Sequence, residues 1–253
     1  MSALALPSVR MTRRGFARLT TSQARLLLRE PASLAWLLLP LLLLILFGNI
    51  PAFTKPSDAL DGRRVIDVYV PTIAALVPLS LAFTALPIAM ATYREKNVLR
   101  RLAVSPVPAA GMLAALLAVI AAMTAVGVAL IVAVGGIAFD VTAPANAGTV
   151  VASFVLGTTA VLALGLVVAA LARTSGAASA LGVPLMIVNF FFSGLYVPVD
   201  ELPHVLRQIG EYVPFGAVMA AWAGQGALWQ HLAVLAGYTV LGSLVAARVF
   251  RWE

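Results

Sequence analysis

The chain has 253 residues, of which 62% are hydrophobic and only 11% are charged. A soluble domain normally carries about a quarter charged residues, so a globule of this composition would expose large apolar patches to water. Composition therefore excludes an ordinary soluble domain and favours the lipid bilayer as solvent, and the absence of cysteine excludes disulfides and zinc–thiolate sites.

The first predicted element is an interfacial helix over residues 10–30. On a helical wheel, four arginines fall within one narrow sector and apolar side chains lie on the opposite side. The arginines are Arg14, Arg18, Arg25 and Arg29, and the apolar residues are Phe16, Leu19, Leu26 and Leu27. The pattern is typical of a helix with arginines towards headgroups and apolar residues towards acyl chains. A basic tail that only sets the topology is the alternative.

Six apolar segments follow, each long enough for a helix that crosses a bilayer, which needs about 20 residues. They are residues 31–50, 68–92, 109–136, 148–171, 178–198 and 230–250. We expect an all-α integral membrane protein of one domain over residues 1–253. Six transmembrane helices would follow the N-terminal interfacial helix, with short outward-facing re-entrant helices between spans five and six.

The basic residues indicate the orientation of these spans. Four of the 17 lysines and arginines fall on one predicted side, namely Lys55, Arg63, Arg64 and Arg207, and the other thirteen fall on the side of both termini. The net charge of +7 is thus spread beside apolar runs, which argues against a nucleic-acid partner. The positive-inside rule predicts that both termini are cytoplasmic. We expect a multi-pass protein of the bacterial plasma membrane.

A short basic segment, residues 94–104, connects the second and third predicted spans. As a helix it would place Glu95, Val98, Leu99 and Leu102 on one side, and Arg94, Asn97 and Arg101 on the other. So short a helix is marginal alone in water, so the pattern favours docking. The leucines would enter an apolar groove, and the arginines would face an acidic partner or lipid headgroups. A solvated loop that only sets topology is the alternative.

The end of the fifth predicted span carries a polar residue within an apolar stretch. Asn189 is followed by Phe190, Phe191 and Phe192, and together they form a possible substrate path. Interhelical hydrogen bonding by Asn189 and packing of the rings is the alternative. Further along, Pro203 suits the first turn of a short helix.

Two of these segments resemble elements of the type-2 ABC exporter permease family, which includes antibiotic-resistance and polysaccharide-export permeases. The basic loop is similar to the family's Glu-x-x-x-x-Leu-x-Arg-Leu-x-x-(Ser/Thr)-Pro element, read here as Glu95, Arg100, Arg101, Leu102, Ser105 and Pro106. Asn97-Val98-Leu99 stands where common members have Gly-Thr-Leu. The stretch from Phe191 to Pro198 is similar to the family's Phe-x-Ser-Gly-x-x-x-Pro segment. In this order, the two elements extend the resemblance over nearly the whole chain.

The resemblance implies a transport subunit rather than an enzyme, in the drug- and antibiotic-resistance-like branch. In the family the basic loop is the coupling helix that contacts the ATPase. That role is carried over to Arg94, Glu95, Val98, Leu99, Arg100, Arg101 and Leu102. The chain contains no Gly-x-x-x-x-Gly-Lys-(Ser/Thr) loop, so no cofactor is expected on it. ATP and Mg are expected on a separate cassette ATPase.

The expected partners are that ATPase, a second permease copy or paralogue, and the lipid bilayer. The expected function is outward movement of a lipophilic drug-like or lipid-like substrate. A polysaccharide or lipid-linked glycan exporter of the same family is one alternative, although this chain offers few aromatic residues for stacking on sugars. A membrane assembly factor or a membrane enzyme is another. A proton-driven carrier usually buries acids or histidines in its spans, whereas the acids here fall nearly all in loops. No metal site is expected.

Overall fold

The computed structural model describes residues 12–56, 62–98, 109–141, 146–196 and 201–249. Within these ranges the regular structure is helical, with one isolated bridge between Pro56 and Arg64. In chain order the helices are α1 (Arg13–Arg29), α2 (Pro31–Gly48), α3 (Pro51–Thr54), α4 (Val65–Glu95), α5 (Ala109–Phe139), α6 (Ala147–Leu171), α7 (Ser175–Phe192), α8 (His204–Gly210), α9 (Pro214–Trp222) and α10 (Leu228–Val249). Among them are five candidate membrane spans, or six if the bent pair α1–α2 counts as one. The expected all-helical membrane fold is confirmed.

The first two helices meet at a sharp bend. Glu30 precedes a proline, and such a residue is pushed out of the α region into an extended conformation. Its backbone accordingly has φ −87° and ψ 112°. Pro31 then occupies the start of α2, where a missing amide is tolerated. The axes of α1 and α2 differ by 63°, so α1 turns away from the direction of the span.

The arginine face of α1 is exposed, and part of its other face is covered by protein. Leu27 is buried in the apolar cluster that also contains Met90 of α4 and Leu116 of α5. Gln23 is buried as well and accepts a hydrogen bond from the Tyr93 hydroxyl. The expectation that the apolar residues of this helix contact acyl chains is wrong for Leu27, because this side chain is buried inside the protein. Leu26 remains 54% exposed.

Helix α4 is the central element of the bundle. In the apolar 18-residue stretch of α4, 94% is buried inside the protein. The same measure ranges from 17% to 44% for α5, α6, α7 and α10. It contains three prolines, Pro71, Pro78 and Pro87, each of which lacks the amide hydrogen that a helix needs. Its middle, Leu81–Ala85, is π-helical. The central helix is thus both the most buried and the most irregular long helix described.

The π-helical segment changes the hydrogen bonding of two backbone carbonyls. The Leu86 amide bonds to the Leu81 carbonyl, five residues back, instead of to Ala82. The next residue, Pro87, has no amide hydrogen to offer. The Ala82 carbonyl therefore receives no hydrogen bond from residue 86 or residue 87. The Phe83 carbonyl loses its usual donor, because the residue four positions ahead is Pro87.

Two glycines bring the neighbouring helices against these carbonyls. A Cβ atom built on Gly165 of α6 would lie 2.1 Å from the Ala82 oxygen. One built on Gly182 of α7 would lie 1.9 Å from the Phe83 oxygen. Because a hydrogen occupies that direction in glycine, the Cα–H group points at each carbonyl and forms a weak hydrogen bond. Helices α6 and α7 are thereby packed backbone to backbone against the π-helical segment of α4.

Candidate functional site

The last turn of α4 joins three helices at one end of the bundle. The Arg94 guanidinium donates to the carbonyl oxygens of Ala169 and Ala172, the second at 2.8 Å, where α6 ends. The carboxylate of Glu95 accepts hydrogen bonds from Ser175, where α7 begins, at 3.0 Å from the amide and 3.3 Å from the hydroxyl. We call these five residues the junction.

The charges of the junction match the dipoles of the helices that they hold. A helix carries partial negative charge at its C-terminus and partial positive charge at its N-terminus. Arg94 is placed at the C-terminus of α6, where the last carbonyls lack partners within the helix. Glu95 is placed at the N-terminus of α7, where Thr174 also caps the Ala177 amide at 3.1 Å. Two adjacent residues thus fix the α6–α7 turn to the end of α4.

Helix α4 ends at Glu95 because the chain reverses its backbone conformation two residues later. Asn97 has a φ of 53°, in the left-handed region that asparagine tolerates better than most residues. Arg94 and Glu95 therefore belong to the last turn of α4, and the predicted helix over residues 94–104 is wrong at its start. Arg94 also faces carbonyls of α6, although we expected it to face an acidic partner or headgroups.

The rest of the predicted coupling segment is only partly described. Val98 is half-buried and helical. Leu99, Arg100, Arg101 and Leu102 lie outside the described residues. A cleft of about 590 Å³ opens beside the junction, and it is lined by Arg94, Glu95, Ala170, Leu171, Ala172, Arg173 and Val249. The ends of α4 and α10 and the α6–α7 turn thus share one end of the bundle with the start of this segment.

The opposite end of the bundle is held by a second arginine. Arg64 forms a two-pronged ion pair with Asp67, with both N···O distances at 2.8 Å. It also donates to the carbonyls of Phe139 and Asp140, at 3.0 and 2.7 Å, where α5 ends. The pKa of Arg64 is raised above its ordinary value, because the effect of the side-chain hydrogen bond to Asp67 exceeds the opposing effect of burial. The central helix is therefore fastened to the C-terminus of a neighbouring helix at each of its ends.

Replacing Arg64 with glutamine is expected to destabilise the protein by about 1–2 kcal/mol, because a charged hydrogen-bond network of this kind is lost while its acceptors stay partly exposed. The measurement is the thermal unfolding midpoint in detergent. Lys55→Gln removes the same charge from an exposed residue near the same end and serves as control. Equal midpoints for the two variants would contradict a fastening role for Arg64.

The predicted substrate-path residues lie near this opposite end and are engaged in packing. The side-chain amide of Asn189 donates to the Leu185 carbonyl at 2.9 Å, and its oxygen accepts the Phe215 amide at 3.3 Å. Phe190 is 7% exposed in the core, and Phe191 and Phe192 meet edge to face with centroids 5.2 Å apart. These contacts favour the interhelical alternative that the sequence left open for Asn189.

The short helix α9 depends on Asn189 and on two aromatic contacts. Phe215 is its second residue, so Asn189 caps one of the amides that a helix leaves unpaired at its start. Near its end, the Trp222 indole donates to the buried Ser153 hydroxyl at 2.8 Å. Phe154 stacks on Trp222 with centroids 6.0 Å apart. Helix α9 is thus held by α7 at its start and by α6 at its end.

Replacing Asn189 with leucine is expected to destabilise the protein by about 1–3 kcal/mol, since the buried Phe215 amide would lose its acceptor. The measurement is again the unfolding midpoint in detergent, and the control is Ser179→Ala, which removes a hydroxyl that bonds within α7. An unchanged midpoint together with an altered range of transported substrates would instead support the substrate-path interpretation.

Histidines and acids do not assemble a metal site within the described ranges. No group of three or more potential ligands occurs there. His231 is buried at the start of α10, and its Nε2 atom lies 2.7 Å from the Gln225 carbonyl. This contact links the start of α10 to the turn between α9 and α10.

Long apolar helices around a buried central span define a multi-pass membrane protein. Residues 53–248 match the family described as ABC-2 family transporter protein. The chain therefore belongs to this family, and it is a membrane permease, a transport subunit without a catalytic domain, of a kind that works with ATPase subunits. Searches among curated proteins and solved structures found no significant match.

The sequence predicts Arg94 and Glu95 as site residues but does not predict their partners. Thr174 and Ser175 are helix-start residues and predict unpaired amides at this point. The acceptor Glu95 is 80 positions away, so the pairing follows from which helices are neighbours. Gln23 and Arg64 were also missed. For Arg64 the spacing to Asp67 at a helix start was a usable signal.

Proposed function

We propose that this permease exports a lipophilic drug-like or lipid-like substrate, in the drug-resistance-like branch of the family, and is driven by a separate cassette ATPase. The observation that carries the proposal is the junction. The basic segment after Glu95 begins at residues bonded to the ends of α6 and α7, so a push on this segment reaches three packed helices. The export direction follows from the resemblance of the loop around Glu95 to the coupling element of exporter permeases.

The junction end is the cytoplasmic end in this proposal. Arg94, Arg173 and the C-terminal turn of α10 lie there, and α1 reaches it through the hydrogen bond between Tyr93 and Gln23. Arg64 lies at the other end, and Lys55 precedes the Pro56–Arg64 bridge at that end. This separation agrees with the positive-inside rule if the junction faces the cytoplasm and both termini are cytoplasmic.

A lipophilic substrate suits the surface of the described spans. Charged residues occur only in their terminal turns, at Asp67, Arg94, Glu95 and Arg248. Helices α2 and α7 present leucines that are 39–60% exposed, such as Leu42 and Leu185. A substrate dissolved in the bilayer would meet apolar side chains along most of its way. In the proposed assembly, a second copy or a paralogue completes the pathway above two ATPases.

The proposal is tested by purifying the tagged chain from the membranes of its own cell in mild detergent. A cassette ATPase should co-purify. Inverted membrane vesicles that contain the complex should take up a fluorescent lipophilic dye when ATP is added, and a protonophore should leave this uptake unchanged. Absence of a co-purifying ATPase, or uptake that the protonophore abolishes, would overturn the proposal.

A further inference from the structure

We infer that Arg94 and Glu95 are positioning residues that transmit movement of the basic segment after Glu95 to α6 and α7, rather than residues that bind the ATPase. The inference rests on the proposed function and goes beyond it, because it assigns the route of coupling inside the permease. Both side chains point along the bundle end to helix termini of the same chain.

The two side chains of this pair carry opposite charges and hold opposite helix ends. Arg94 holds a helix C-terminus and Glu95 holds a helix N-terminus, so each contact combines hydrogen bonds with a favourable helix dipole. The two residues are adjacent in the chain. The end of α4 therefore cannot shift relative to the α6–α7 turn without breaking charge-assisted contacts on both helices.

The same three helices meet again at the π-helical segment of α4. Gly165 of α6 lies against the Ala82 carbonyl, and Gly182 of α7 lies against the Phe83 carbonyl. Helices α4, α6 and α7 are thus fixed to each other at two levels, the junction and the π-helical segment. Between these levels they form one unit, which a force on the basic segment after Glu95 would displace as a whole.

Binding the ATPase and holding α7 require different properties of the Glu95 side chain. A residue that binds a basic group on the ATPase depends on its negative charge. The contact with Ser175 keeps both hydrogen bonds with any acceptor oxygen, and without the charge it loses only the smaller contribution of the helix dipole. Glutamine keeps the oxygen and loses the charge, and alanine loses both. The pair Glu95→Gln and Glu95→Ala therefore separates the two roles.

A variant on the other side of the contact makes the test independent of α4. Ser175 is the first residue of α7, a position that accepts proline, and Thr174 already has the extended conformation that precedes a proline, with ψ 156°. Ser175→Pro removes both donors to Glu95, the amide and the hydroxyl, and leaves the charge of Glu95 and of the basic segment after it unchanged. It also serves if Glu95→Ala does not fold.

The structural measurement is amide hydrogen exchange of the purified permease in nanodiscs. Glu95→Ala should speed exchange at the start of α7 by about fivefold, the effect of losing one helix cap. Glu95→Gln should stay within about twofold of the unmodified protein. Lys55→Gln, a charge change at the opposite end, should have no effect there.

The functional measurement uses the complex with its co-purified ATPase in proteoliposomes and the same dye. Glu95→Ala and Ser175→Pro should reduce dye transported per ATP hydrolysed by about fivefold while the ATPase still co-purifies. Glu95→Gln should transport nearly as much dye per ATP hydrolysed as the unmodified protein. If Glu95→Gln lowers the dye transported per ATP hydrolysed and Ser175→Pro does not, the inference is overturned. Coupling would then depend on the charge of Glu95 and not on its contact with α7.

Two other outcomes are decisive as well. If both Glu95→Ala and Ser175→Pro speed exchange but transport per ATP is unchanged, the contacts are structural only and the inference is wrong. If no ATPase co-purifies with the unmodified permease, the proposed function fails and the inference fails with it. The exchange data would then still report whether the junction holds α7.

Discussion

Gly182→Ala is expected to destabilise the folded protein by about 2 kcal/mol and to lower its folded yield. The new Cβ would lie 1.9 Å from the Phe83 carbonyl oxygen, and this oxygen belongs to the backbone of the central helix, so it cannot rotate away. Separating α4 from α7 would cost about 3 kcal/mol, which exceeds the roughly 1 kcal/mol that alanine gains over glycine in a helix. Fluorescence-detected size exclusion of the membrane extract measures the folded yield, and thermal unfolding measures the loss of stability.

The control for this prediction is a glycine in an open position of another long helix. Gly136 of α5 has nothing within 4 Å of its added Cβ, so Gly136→Ala should keep or slightly raise the unfolding midpoint. Gly165→Ala should behave like Gly182→Ala, because its Cβ would meet the Ala82 oxygen at 2.1 Å. A Gly182→Ala variant that melts like the unmodified protein would contradict the close approach of α7 to the π-helical segment.

Hydropathy and proline chemistry together predict most of the helices. Apolar length alone gives the long helices, because the bilayer requires each span to satisfy its own backbone hydrogen bonds. Pro31 predicts a helix start and an extended Glu30, which together explain the bend between α1 and α2. The exposed arginine face of α1 likewise follows from spacing, since the four arginines repeat at helical intervals.

The contacts between helices could not be predicted from the same patterns. Gly136 and Gly165 are both glycines in apolar spans, yet only Gly165 faces a carbonyl that a π-helical segment has left without its usual donor. Which face of a span meets a neighbour depends on the arrangement of the helices, and a nearly uniform apolar sequence does not encode it. Pro78 and Pro87 indicate irregularity in α4 but do not indicate where the hydrogen bonds shift.

In the candidate site, too, the residues could be predicted from the sequence, whereas their contacts could not. The basic loop marked Arg94 and Glu95 because charged residues after an apolar run are visible in any sequence. Their contacts to α6 and α7 could not be predicted, since a side chain that caps a distant helix and one that faces a partner have the same sequence pattern. Asn189 is a similar case, because a buried amide within an apolar span suits a substrate path and a helix cap equally well.

Arg101→Glu is expected to weaken retention of the ATPase by about tenfold, and thereby to abolish most transport, if the basic segment contacts an acidic surface on that subunit. Reversing one charge in such an interface converts an attraction into a repulsion, which typically costs more than 1 kcal/mol. This residue follows the junction and, unlike Glu95, has the position and charge expected of a direct contact. The measurement is the amount of ATPase that stays bound to the tagged permease during detergent washes.

Salt dependence separates a direct contact from an indirect effect. Attraction between exposed charges weakens as the Debye length falls from about 10 Å at 0.1 M salt to about 3 Å at 1 M. The unmodified complex should therefore lose ATPase as salt rises, and Arg101→Glu should remove much of this dependence. Lys55→Glu, an equal reversal at the opposite end of the bundle, should leave retention unchanged, and a topology reporter should give the same orientation for both variants. Equal retention by Arg101→Glu and Lys55→Glu would place the ATPase contact elsewhere than on this segment.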